Sequence, residues 1–429
     1  QNIGGNVLQI TDFHYDKDYN RYGDISILCH NSLDGKPRED VGAFGNYVCD
    51  APEALVRHAV KNAKYTLPNP DFILWTGDNV PHISGYNEEY VIDALNFTTS
   101  LLKSTFNKTQ IIPTFGNHDY APGNDFPDNG SSIYNRTYEL WKDWIGPDAK
   151  ETFLKGGYYK LNFKSATFLA LNTNIYYNKN KATFTNSNDP ADQFQFLEDS
   201  LEEARNESQI IHIVSHIPPG SYEKVPNFPW MPPQYNQKLV NIFLKYASNI
   251  KWMIFGHHHS DTFHILKKGS IPVQLLLICP AVTVGWQKTY IFMIFFMTFR
   301  VINYDDQTWD YTDIKTYNVD LNELNRNPSV NWTLEYSYRD AYNLSQINAL
   351  TMNDLLQKMK VDNNLFYKYM TYYSAGWGPK IPDGDIRKGQ LCAIEYTDYP
   401  SYYACLGNGT TNATLDLFLI ILITLALIL

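Results

Sequence analysis

An α/β fold is the prediction for this 429-residue sequence, and three observations make it. Six short runs are apolar: NVLQI (6–10), FILWTG (72–77), IIPTFG (111–116), ATFLALN (166–172), IIHIVS (210–215) and KWMIFG (251–256). Continuous apolar runs of this length suit strands buried on both faces. Amphipathic helical segments alternate with them, which gives a layered α/β core. Finally, Asp, Asn or His stands directly after five of the runs, at the strand ends where α/β sheets gather their ligands.

Taken in order, the run 6–10 leads into Thr11-Asp12-Phe13-His14. DAPEALVRHAVKNAKY (50–65) reads as a helix opened by a capping box, Asp50 with Glu53, and by Pro52 in its first turn. The run 72–77 delivers Gly77-Asp78, and 111–116 delivers Gly116-Asn117-His118-Asp119. DQFQFLEDSLEEAR (192–205) places Phe194, Leu197 and Leu201 on one helical face. The run 210–215 ends at Ser215-His216, and 251–256 opens the histidine triplet of FGHHHSD (255–261). Side chains alternate along extended backbone, so His257 and His259 share a side while His258 faces away in a structural or solvent-facing role. His30, His58, His212 and His264 are read in the same plain way. YIFMIFFMTF (290–299) is read as a buried strand, being too short for the ~20 residues of a membrane span. From about residue 312 the pattern turns polar and then helical around 344–372, a smaller, mainly helical C-terminal subdomain ending near Cys405.

Composition narrows the function. Apolar residues make up 44% and charged residues 19%, an ordinary globular balance. A net charge of −10 repels polyanions, which excludes a nucleic-acid polymer as partner. A small anionic substrate stays open where a metal reverses the charge locally. The five cysteines make no C-x-x-C pair, against a zinc ribbon or thioredoxin-type site. In an oxidising compartment Cys29–Cys49 and Cys392–Cys405 each close a short loop, leaving Cys279 as a buried thiol. Nine N-x-S/T sequons, at Asn96, Asn107, Asn129, Asn135, Asn206, Asn331, Asn343, Asn408 and Asn412, point to a secreted or cell-surface glycoprotein. The opening QNIGGNVLQITD reads as a mature terminus. The apolar tail LDLFLIILITLALIL (415–429) comes after small residues and TTNAT; it reads as a GPI-anchor signal holding the chain at a membrane surface, with a short transmembrane stub as the alternative.

Each strand ending is common alone. All five in this order, each after a strand, predict a two-metal site. The series D-x-H, G-D, G-N-H-D, H, G-H-x-H resembles the calcineurin-like metallophosphoesterase superfamily. GDNVPH (77–82), GNHDYAPGNDFP (116–127), LNTNIYY (171–177), SHIPPG (215–220) and PAVT (280–283) are similar to acid sphingomyelinases and, more closely, to the acid sphingomyelinase-like phosphodiesterases, over residues 6 to 406. The resemblance implies a four-layer αββα sandwich, divided into a catalytic domain (1–311), a C-terminal subdomain (312–406) and a hydrophobic tail (407–429). It implies two zinc ions, one held by Asp12, His14 and His259, the other by Asn117, His216 and His257, with Asp78 bridging. Four imidazoles with carboxylate and amide oxygens suit zinc, and manganese or iron can compete for them. Pro81 stands where related purple phosphatases carry an iron-binding Tyr, which favours zinc.

The implied reaction is hydroxide attack in line on phosphorus. His118 would be the general acid, worth about 10²–10⁴ in rate, and His82 would contact the phosphate oxygens. Nucleotides or related phosphodiesters are the expected substrates. Sphingomyelin, releasing phosphocholine, is the alternative, weakened because no saposin-like domain fits ahead of Asp12. A non-catalytic surface binding protein is a third reading, against which the full set of ligands counts. The chain departs from the family at GPKIPDGDIRKGQ (378–390), which lacks a cysteine, and around 284–299.

Overall fold

A computed structural model describes residues 4–283, 297–376 and 381–407. Its strands are β1 (Gly4–Ile10), β2 (Phe72–Trp75), β3 (Gln110–Pro113), β4 (Tyr159–Phe163), β5 (Ala166–Ala170), β6 (Ile210–Val214), β7 (Ile250–Phe255), β8 (Thr262–Lys268), β9 (Ile271–Ile278), β10 (Thr298–Asp305), β11 (Tyr311–Asn318) and β12 (Thr333–Ser337). They form two six-stranded sheets, ordered β12-β11-β10-β1-β2-β3 and β4-β5-β6-β7-β9-β8. The six apolar runs are β1, β2 and β3, parallel in the first sheet, and β5, β6 and β7, parallel in the second. Both faces of these strands are covered, which is why their sequences do not alternate.

The sheets pack face to face through aromatic rings. Phe72 of β2 lies 5.2 Å from Phe168 of β5 between ring centroids, and Trp252 of β7 lies 5.2 Å from Tyr304 of β10. The indole of Trp252 donates to the carbonyl of Trp309 at 2.7 Å, so the polar atom of this large ring is satisfied.

Helices α1 (Glu53–Thr66), α2 (Glu88–Thr105) and α3 (Ser132–Ile145) cover the first sheet, and α4 (Lys150–Gly156) leads into β4. Helices α5 (Gln193–Asn206) and α6 (Pro233–Lys245) cover the second. Helix α1 buries Leu55, Val56, Ala59, Val60 and Ala63, a single face at helical spacing. It ends at Leu67, which precedes a proline and has left the helical region. A short helix, α7 (Leu321–Arg326), joins β11 to β12. Beyond β12 come α8 (Tyr338–Tyr342), α9 (Ala349–Val361), α10 (Asn363–Tyr373), α11 (Gly384–Glu395) and α12 (Tyr399–Leu406). Helices α9 and α11 lie on β8 and β9, so the layers run α, β, β, α, with the helical C-terminal region on the second sheet.

Both expected disulfides are present, Cys29–Cys49 and Cys392–Cys405, and Cys279 is a buried free thiol. One expectation fails. Pro52, not Asp50, is the N-cap of α1, and no side chain caps that end. Most of the strand expected over 290–299 lies outside the described residues, as do the tail and the sequons at Asn408 and Asn412. Among the described residues no helix is long and apolar enough to cross a membrane.

Two buried carboxylates differ sharply. Asp261 accepts from Arg300 of β10 at 2.5 Å, from the Tyr338 hydroxyl at 3.0 Å and from Thr316, which joins the loop after β7 to the other sheet. A buried pair of this kind is tolerated because its remaining lone pairs are bonded. Glu335 in β12 has both oxygens buried and no hydrogen-bond partner among the described residues. Burial, helped by the charge of Asp261, pushes its carboxyl up to about 9. The folded chain therefore binds this proton more tightly than the unfolded chain does. The stability this confers is complete below the unfolded carboxyl range and is lost as pH rises toward 9. Glu335→Gln needs no proton. It is expected to raise the unfolding temperature at about pH 8 by roughly 2 °C or more and to give no gain near pH 4. Equal effects at both pH values in thermal unfolding would refute this.

Candidate metal centre

The C-terminal ends of β1, β2, β3, β6 and β7 converge at one edge of the sandwich. One donor atom each from Asp12, His14, Asp78 and His259 lie within 4.8 Å of one another, and Asp78, His216 and His257 make a second such group. Asp78 belongs to both. Its Oδ2 is 3.5 Å from His14 Nε2 and 3.1 Å from His216 Nε2. Asp12 Oδ1 is 3.1 Å from His259 Nε2, and Asn117 Oδ1 is 3.2 Å from His216 Nε2. Thus all seven side chains expected at the centre are brought together.

Their chemistry fits cations. Asp12 Oδ1 and His257 Nε2 are buried without a hydrogen-bond partner, a condition that costs about 1–3 kcal/mol per group unless something else satisfies it. His14 Nδ1 lies 2.8 Å from the carbonyl of Val80, and His216 Nδ1 lies 2.6 Å from that of Thr76. A carbonyl only accepts, so each Nδ1 carries a proton and each Nε2 is turned to the centre. Burial alone would lower the proton affinity of His14 and His216. The carboxylates of Asp12 and Asp78 overcome it and raise both imidazoles to about 9. Reciprocally, burial pushes Asp12 and Asp78 upward, but the surrounding histidines hold both well below the carboxylate range. The two carboxylates call for positive charge. Protons supply it in the metal-free protein, and cations replace them with proton release.

The loops that carry these residues are strained. Asp12, His14, Asp78, His257 and His259 all have positive φ, at 52°, 40°, 57°, 72° and 57°. Each such residue stores about 1–3 kcal/mol, and this clustering is characteristic of functional sites. Asp119 staples two of the loops by accepting from the backbone N–H groups of Gly116 (2.8 Å), Asp78 (2.9 Å) and Asn79 (2.6 Å). Close approach demands the glycines. A Cβ on Gly116 would sit 2.1 Å from the Asp78 nitrogen, and one on Gly256 would sit 2.6 Å from Thr11 Oγ1 and 2.9 Å from Asp12 Oδ2. Gly256→Ala must push Asp12 aside. It is expected to weaken metal retention about 10–100-fold with the fold intact, read by chelator titration and circular dichroism.

His82 and His118 lie beside the donor groups and are partly exposed, as are His257 and His259, while Asp12, His14, Asp78, Asn117 and His216 are buried. The His82 ring stacks on His14 at 3.9 Å and meets His118 edge-on at 4.6 Å between centroids. The backbone N–H of His118 donates to Asp78 Oδ1 at 2.8 Å, and the Tyr86 hydroxyl donates to the His118 carbonyl at 2.9 Å. Burial holds the His118 imidazole well below its ordinary range, with the charge of Asp78 opposing. Asp50, read from sequence as a helix cap, instead accepts from His82 Nδ1 at 2.8 Å and from its backbone N–H at 2.5 Å. The D-x-x-E pattern gave no sign of this, because the partner lies across the fold. His258 is buried and faces away from the donor groups, as expected, although the backbone here is a bend with positive φ at His257 and His259 and not the extended strand that the expectation assumed. His30 pairs with Asp16 at 2.7 Å, His58 accepts from the Trp332 indole at 3.0 Å, and His212 sits among aromatic rings.

Residues 5–261 match the family model of the calcineurin-like phosphoesterases, and residues 271–412 match that of the acid sphingomyelin phosphodiesterase C-terminal region. The human protein named acid sphingomyelinase-like phosphodiesterase 3b is 34% identical over 418 residues, which covers 95% of this chain and 91% of that protein. The chain belongs to the acid sphingomyelinase-like phosphodiesterases. This acid sphingomyelinase-like phosphodiesterase is also 32% identical to a bovine protein named cyclic GMP-AMP phosphodiesterase, over 94% of this chain and 90% of that one. It is 28% identical to a Dictyostelium discoideum protein named sphingomyelinase phosphodiesterase C, over 94% and 92%. The calcineurin-like phosphoesterases use a dinuclear metal centre, and this chain brings together two His/Asp donor groups that share Asp78.

Proposed function

We propose that this phosphodiesterase hydrolyses small phosphodiesters, nucleotides foremost, at a two-zinc centre held by Asp12, His14, Asp78, Asn117, His216, His257 and His259. The observation that carries the reading is the sharing of Asp78 by two donor groups beside two partly exposed histidines, His82 and His118. Four imidazoles among the donors favour zinc over hard, all-oxygen cations. When bound, zinc supplies Lewis acidity and a hydroxide nucleophile near neutral pH. The chain does the rest. Asp78 ties the two donor groups together. Asp50 fixes His82 through Nδ1, so the ring is set to meet a phosphate oxygen. His118 delivers a proton to the leaving oxygen. Its own environment disfavours that proton, and the negative charge of a bound phosphodiester restores it.

Nucleotide specificity is supported by the bovine relative named for cyclic GMP-AMP, which matches at higher identity than the Dictyostelium sphingomyelinase phosphodiesterase. Sphingomyelin is the second reading, supported by the match to the sphingomyelin phosphodiesterase C-terminal region. We place the enzyme outside the cytosol, at the cell surface or secreted. Both disulfides support this, and so does the exposure of all seven described sequon asparagines, Asn96, Asn107, Asn129, Asn135, Asn206, Asn331 and Asn343. The tail at 415–429 is proposed as the anchor signal.

The test compares turnover of a cyclic dinucleotide, a nucleoside triphosphate and sphingomyelin vesicles by the purified protein, before and after metal stripping and with zinc restored. Faster zinc-dependent turnover of the nucleotides is the expected result. Dominant sphingomyelin turnover would promote the second reading, and turnover that survives stripping would sink the metal mechanism.

A further inference from the structure

Beside the centre lies a separate, fully buried cluster that the reaction does not use. Glu223, His258 and His264 are each 0–1% exposed and bring one donor atom apiece within 4.8 Å of one another. His258 stands between His257 and His259 and turns its side chain into this cluster. The Trp230 indole Nε1 donates to His258 Nε2 at 2.6 Å. His258 Nδ1 lies 2.7 Å from Glu223 Oε2, a close polar contact without hydrogen-bond geometry. Tyr373, from the C-terminal helix α10, donates its hydroxyl to Glu223 Oε1 at 3.0 Å, and Lys224 Nζ donates to the His258 carbonyl at 3.4 Å. His264 Nε2 approaches Glu223 Oε2 at 3.4 Å without a hydrogen bond.

Hydrogen-bond roles decide what this cluster is for. An indole N–H only donates, so His258 Nε2 must present its lone pair to Trp230. The proton of the neutral ring therefore sits on Nδ1, against the Glu223 carboxylate. A cation bound to this cluster would need the Nδ1 lone pair. The proton would then move to Nε2 and collide with the indole N–H. The arrangement suits a chain of polar contacts and opposes a third metal. Trp230 has a second contact, for its ring also meets that of His257 edge-on, 4.3 Å between centroids and 69° between planes. One indole thus touches a candidate ligand and braces that ligand's neighbour. Both flanking ligands have strained backbones, with φ of 72° and 57°, which persist only where the surroundings over-determine them.

We propose that Glu223, His258 and Trp230 form a strut that presets His257 and His259 for cation binding, as positioning residues that act through those two ligands. The proposal rests on the two-metal reading above. Its test uses the full chain and two readouts, bound zinc per chain by mass spectrometry and zinc retention against a titrated chelator. The variants are His258→Leu, which removes both polar contacts, Trp230→Phe, which keeps the ring and removes the donor, and His258→Gln, whose amide can still accept from Trp230 and donate to Glu223. Wild type should hold two zinc ions. His258→Leu and Trp230→Phe should release zinc at about 10–100-fold lower chelator, as outer partners of metal ligands do, while His258→Gln behaves like wild type. Should His258→Leu fail to fold, Trp230→Phe and Glu223→Gln carry the comparison. Unchanged chelator midpoints in the folded variants, with two zinc ions in wild type, would overturn the strut alone. Three zinc ions in wild type and two in His258→Leu would overturn it in favour of a metal site. Fewer than two in wild type would overturn the two-metal reading together with the strut.

Discussion

Asp78→Asn is expected to lower turnover by about 10³-fold or more, because a metal's charge stabilisation is worth several kcal/mol and each ~1.4 kcal/mol is tenfold. Asp78 Oδ2 faces His14 at 3.5 Å and His216 at 3.1 Å, so one oxygen serves both donor groups. The amide of Asn is neutral and offers a single acceptor, with an NH₂ group in place of the second oxygen. Either one donor group loses its anion or two N–H donors point at a cation. Bound metal should fall from two per chain to one or none. The fold should survive, because Asp119 still bonds the backbone of the same loops. Metal analysis and steady-state kinetics on one preparation check both statements. A variant that keeps two ions and near-normal kcat would remove Asp78 from the centre.

His118→Ala should lower kcat on a nucleotide by about 10²–10⁴ with little change in KM, the usual contribution of a general acid. The decisive comparison is the leaving group. A p-nitrophenyl ester departs as a stable phenolate that needs no proton, so on that substrate the same variant should lose far less. The role sets the sign with pH. The acid must be protonated, so wild-type kcat falls as pH rises through the His118 pKa in the substrate complex. Burial depresses the pKa of the free protein, so kcat/KM should begin to fall on the acid side, while kcat, which reports the substrate complex, falls at higher pH; in His118→Ala both falls should vanish. Equal losses on both esters would assign His118 to binding rather than proton transfer.

Much of this centre was legible in the sequence, for a local reason. Parallel strands buried on both faces must be apolar throughout, and the polar residues that end each apolar run must lie at the strand's C-terminal end. Asp12, Asp78, Asn117, His216 and His257 could each be placed from their own neighbours. The direction of His258 came out as expected, but from a bent loop with positive φ on either side of it and not from the strand alternation that suggested it. What escaped depends on contacts across the chain. Asp50 meets His82 from 32 residues away and Trp230 meets His258 from 28, and no local pattern encodes either meeting. Asp50 was also hidden by an ambiguity, since a carboxylate three residues before a Glu serves equally as a helix cap. The place of β10 between β1 and β11 was out of reach for the same cause, because antiparallel pairing across nearly three hundred residues leaves no periodic trace.

The centre is drawn from both sheets. Asp12, His14, Asp78 and Asn117 lie just beyond strands of the first, while His216, His257 and His259 lie just beyond strands of the second. Neither sheet alone holds a complete donor group, so catalysis is a property of the interface between them. A partly folded chain with both sheets formed but undocked would keep its circular dichroism and be silent in any assay. In rising denaturant, activity should therefore disappear when the sheets part, ahead of the loss of secondary structure, which makes turnover a gauge of how firmly the two halves of the sandwich are joined.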